Sequence, residues 1–163
     1  MKTLFLCSLL VLASAAHAQT DSLLAAVPQS EEAFTASEPT VIRTVVWLES
    51  TPINEKWRAE AKLLLAWSTN SPAVTVALTD NTTPFTHKNP DLGAAFVGGW
   101  LRYSLRHGYS KDQVQCTVAG IQCAEKVYVG NGKALRRDKD FDKLAALSEP
   151  DLEKWVKGQL GVH

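Results

Sequence analysis

The chain has 163 residues and balanced charge, with 17 Lys and Arg against 17 Asp and Glu. That balance argues against nucleic acid or an anionic membrane surface as a partner, because both favour a basic excess. The length suits one domain around a single core and is short for two.

Lys2 precedes the uncharged run Leu4 to Ala15, and the small-residue triplet Ala16-His17-Ala18 follows. This pattern predicts a secretory signal peptide over residues 1–18. Its apolar part falls short of the roughly 20 residues that a permanent anchor needs. Cleavage would start the chain at Gln19, remove Lys2 and leave a periplasmic or secreted protein with no inserted segment. Residues 19–37, rich in Ala, Ser, Gln and Glu, read as a partly mobile leader, with 38–163 as the helical domain.

Thr40 to Glu49 spaces Ile42, Val45, Val46 and Trp47 near the helical repeat, although its β-branched residues would also suit a strand. Asn54 is placed to cap a helix carrying Trp57, Ala61, Leu64 and Trp67. Val74, Val76 and Leu78 then alternate as in a strand, without an evident partner. Residues 80–89 are turn-forming throughout and make the longest internal loop. Asn89-Pro90-Asp91 provides a cap, a helix-starting proline and a first-turn acid, and Gly108 provides a stop, so 90–107 is predicted as a central helix. The helix interior holds Gly93, Gly98 and Gly99, each costing about 1 kcal/mol against alanine. Close approach of another backbone would offset that cost.

Ser110-Lys111-Asp112-Gln113 matches a capping box ahead of a helix from Gln113 to Val129. Asp138 to Leu147 predicts a short helix, and Ser148-Glu149-Pro150-Asp151 caps a last one containing Leu152, Trp155, Val156 and Leu160. The fold expected is therefore all-α, a small single-domain bundle of five or six helices. An α+β alternative would place short strands near 73–79 and 40–48.

Cys116 and Cys123 remain after signal cleavage, in a compartment that permits disulfides. On one continuous helix their Cα atoms would lie roughly 10 Å apart, beyond the ~7 Å limit for a bridge. A bridge thus requires a break near Gly120, and both alternatives stand at this level.

No His, Cys, Asp and Glu grouping has metal-ligand spacing, so neither a metal nor another cofactor is expected. His107 suits the dipole at its helix end. Asp80, Thr83 and His87 share the 80–89 loop, and Arg102 and Arg106 stand one turn apart, a spacing able to clamp an anionic group. These five residues form the candidate binding set. The function expected is a non-enzymatic binding or interaction domain of the cell envelope, its partner another envelope protein or a small ligand. The alternative is a small hydrolase using the 80–89 loop, or a thiol enzyme using Cys116 or Cys123.

Overall fold

The computed structural model describes residues 23–162. The predicted signal peptide, the first residues of the leader and His163 lie outside the described residues. Among the described residues six α-helices follow in order: α1 Glu31–Ser50, α2 Glu55–Asn70, α3 Asp91–Arg106, α4 Gln113–Gly130, α5 Lys139–Ala145 and α6 Glu149–Leu160. There is no strand among the described residues, and the fold is all-α.

Local chemistry sets most helix ends. Ser30, Asn54, Asp112, Asp138 and Ser148 each turn a side-chain oxygen to an amide in the first turn of the following helix, satisfying donors that have no intrahelical partner. The cap of α4 is Asp112, which accepts from Gln115 N at 3.0 Å. Ser110 does not close the predicted capping box; its hydroxyl accepts from the Asp112 amide instead, at 3.3 Å. Gly108 ends α3 with φ +62°, and Tyr109 follows at φ +61°. Tyr109 is held in that unfavourable left-handed conformation with its hydroxyl donating to Glu38 at 3.0 Å.

The α+β alternative is overturned at both places. Residues 40–48 lie inside α1, whose apolar face buries Val41, Val45 and Leu48. Helical burial of that face outweighs the strand preference of its β-branched residues. Residues 73–79 form neither helix nor ladder; Val74 is buried and Val76 packs on the core, so their alternation records docking of a single irregular segment. Part of the segment read as a leader packs on the domain. α1 begins at Glu31, Phe34 packs edge-on against Trp67 at 5.4 Å, and the amides of Leu23 and Leu24 donate to the buried carboxylate of Glu60 at 3.2 and 3.3 Å.

α3 is the axis of the bundle. It packs most extensively on α4 and also on α1 and α2, while α6 closes over α4. Every residue from Ala94 to Leu101 is buried. A Cβ at Gly99 would collide with the Ala119 carbonyl and lie 2.6 Å from Cys123 Cβ, and one at Gly120 would lie 2.7 Å from the Phe96 ring. These two glycines set the α3–α4 approach. Gly98 faces Val45 and Leu64 across α1 and α2, and Gly93 has ordinary room.

α4 runs unbroken through Gly120, and Cys116 and Cys123 are both buried free thiols. The bridge alternative is thereby corrected, because two helical turns separate the residues and no break brings them together.

Candidate functional site

The loop before α3 is built on threonine. The Thr79 carbonyl accepts from the amides of Thr82 and Thr83 at 3.1 and 2.9 Å and from the Thr83 hydroxyl at 2.8 Å. Pro84 then opens a single 3-10 turn, Pro84–His87. This turn drives Phe85 inward, where it is 1% exposed and stacks on Phe141 of α5 at 4.3 Å and 30°. Stacking of this kind contributes about 0.5–1.5 kcal/mol beyond burial alone.

Between the turn, α5 and α6 lies a cavity of about 580 Å³. Phe85, Phe141, Leu144, Leu147 and Trp155 form its apolar walls. Its polar rim is organised by Asp138, the buried cap of α5. The Asp138 carboxylate accepts from Lys88 Nζ at 2.8 Å and from the amides of Asp140 and Phe141. Burial alone would raise its pKa, but the hydrogen bonds from Lys88 and the two amides outweigh that and hold it below the ordinary carboxylate value. Tyr128 completes the support: its hydroxyl accepts from the Asp138 amide and donates to Asp142, both at 2.9 Å.

A second, more polar cavity of about 270 Å³ adjoins the first, sharing His87 and Lys88 and extending to Leu135 and Arg136. Its wall is pinned by buried Asn89, which accepts from Arg136 N and donates to Arg136 O, each at 2.8 Å. Asn89 was expected to cap α3. The reciprocal bonds to a segment 47 residues away take its side chain instead, and no side-chain cap hydrogen bond is made at the start of α3.

The expected binding set is divided by this arrangement. His87 lines both cavities, and Asp80 approaches it at 3.5 Å on an exposed surface. Thr83 is 3% exposed and its hydroxyl is committed to the turn. Arg102 lies eleven residues beyond the start of α3, roughly 16 Å along the axis, and forms a two-pronged pair with Glu49 at 2.7 Å for each contact. Burial would raise the Glu49 pKa, but Arg102, with Lys126 at 3.4 Å, lowers it. Arg106 is exposed near the same end. The two arginines are therefore not brought together with the 80–89 loop.

The thiols are also elsewhere. Burial, with a smaller contribution from Asp112, pushes Cys116 up to about 11; burial and Glu49 push Cys123 upward as well. Such thiols are poor nucleophiles near neutral pH. No grouping of three or more metal-ligating side chains occurs among the described residues.

Lys88, Asp138, Phe141, Leu144, Leu147, Trp155 and Arg136 were not in the expected set. The mixed-charge run from Arg136 to Lys143 holds the buried cap that organises the rim. Comparison with known protein families, curated proteins and solved structures finds no match for this chain.

Proposed function

We propose that this protein is a non-enzymatic binding domain, exported to the periplasm or beyond, whose binding site is the groove between the Pro84–His87 turn, α5 and α6. The observation that carries this reading is the 580 Å³ cavity with aromatic and aliphatic walls and an ordered polar rim. Its volume and lining fall within the usual range for small-ligand sites, about 300–1,000 Å³ and mostly apolar with a few fixed polar groups. Support for a binding rather than a thiol-catalytic role comes from Cys116 and Cys123, which do not line the groove and whose pKa values lie above the ordinary thiol value. The exposed apolar surface of Leu147, together with half-buried Trp155, provides the contact area that an entering ligand would cover.

A neutral fluorophore, N-phenyl-1-naphthylamine, tests the groove without involving charge. The purified protein is expected to take it up saturably at one site, and Leu147→Glu is expected to weaken that uptake about tenfold, or 1.4 kcal/mol, while melting as wild type does. Absence of saturable uptake, or equal uptake by the folded variant, would refute the groove as the site.

A further inference from the structure

Resting on the groove as a binding site, we infer that its ligand is amphipathic and anionic: a free single-chain aliphatic carboxylate whose chain lies in the apolar cavity and whose head group meets Arg136. The two cavities adjoin and share His87 and Lys88 in their walls, so a molecule seated against Phe141 and Trp155 can extend its polar end past these residues towards the second chamber. Charge then selects the sign of that end. Of the ionised side chains lining the two chambers, Lys88 pairs with Asp138 at 2.8 Å, Lys143 with Asp140 at 3.1 Å, and Asp91 with Arg58 at 3.0 Å. His87 faces Asp80.

Arg136 is the remaining charge. Its guanidinium makes no ion pair or hydrogen bond among the described residues, although its backbone is fixed on both sides by Asn89. A planar cation on an immobilised backbone is well suited to a carboxylate, which it can engage with two parallel hydrogen bonds. A neutral ligand would leave that capacity unused, and a cationic head group would meet like charge. The apolar chamber is a partly open groove with aromatic walls, which suits a flexible chain.

Decanoate and 1-decanol, which share a chain and differ in charge, separate this inference from the groove reading. Titrated near pH 7.5 against the purified protein by displacement of N-phenyl-1-naphthylamine, decanoate is expected to bind about tenfold more tightly than decanol, the order of one charge-assisted contact. Arg136→Ala, which breaks no side-chain hydrogen bond or ion pair among the described residues, should bring decanoate to the level of decanol and leave decanol and the fluorophore unchanged. Decanoate no tighter than decanol, or decanoate unaffected by Arg136→Ala, would overturn the anionic ligand while fluorophore uptake kept the groove. Loss of fluorophore uptake in wild type would remove both.

Discussion

Gly98 and Gly99 are adjacent on α3 and respond to different neighbours. A methyl group at position 99 meets the Ala119 carbonyl, which cannot move without displacing α4, whereas at position 98 the nearest atom is a Val45 methyl at 3.2 Å. Gly99→Ala should therefore destabilise by about 3 kcal/mol, an overpacking cost at its upper ordinary range. Gly98→Ala should fall near zero, because about 1 kcal/mol of helix propensity offsets a small displacement of Val45. Urea midpoints of the two variants would separate them; equal midpoints would show that α4 does not approach Gly99 closely. The run of glycines indicated that some backbone comes close, but not which glycine it reaches.

Capping makes the helices legible and connects them to one another. Asn54 and Ser148 act where local sequence places them, since a cap and its amides are two or three residues apart, and Asp138, expected as the first residue of its helix, caps it instead. Asp138 does more, because the same carboxylate holds Lys88 from a loop 50 residues earlier. Its folded pKa is depressed, so the stabilisation is present above the unfolded value of about 3.9 and is lost as pH falls through the folded value. Asp138→Asn keeps a capping oxygen but loses the charged pairing with Lys88, and should lower stability by about 1 kcal/mol at pH 7, the upper end for a partly exposed ion pair. Below about pH 4 the difference from wild type should narrow. Thermal melts from pH 7 to pH 2.5 check this; a gap that stays constant would mean that the carboxylate charge contributes nothing.

Burial of both thiols is a property of the assembled bundle. Cys116 and Cys123 are each 0% exposed, on the α4 face that packs against the rest of the core. A thiol reagent near pH 7.5 should label neither in the folded protein and both after denaturation, as read by intact mass. Fast labelling in the folded state would require α4 to open, and no labelling after denaturation would indicate a covalently modified pair. Periodicity, caps and glycine stops were sufficient to indicate an all-α bundle and place most of its helices, because each signal acts within a turn or two of chain. Docking of Leu24, the association of Phe85 with Phe141, and the ties from Lys88 to Asp138 and from Asn89 to Arg136 join segments tens of residues apart. Such pairings depend on how helix faces pack and carry no local periodic signature. The helices are thus written in short-range chemistry, whereas the groove exists only once α5 and α6 have closed against the turn before α3.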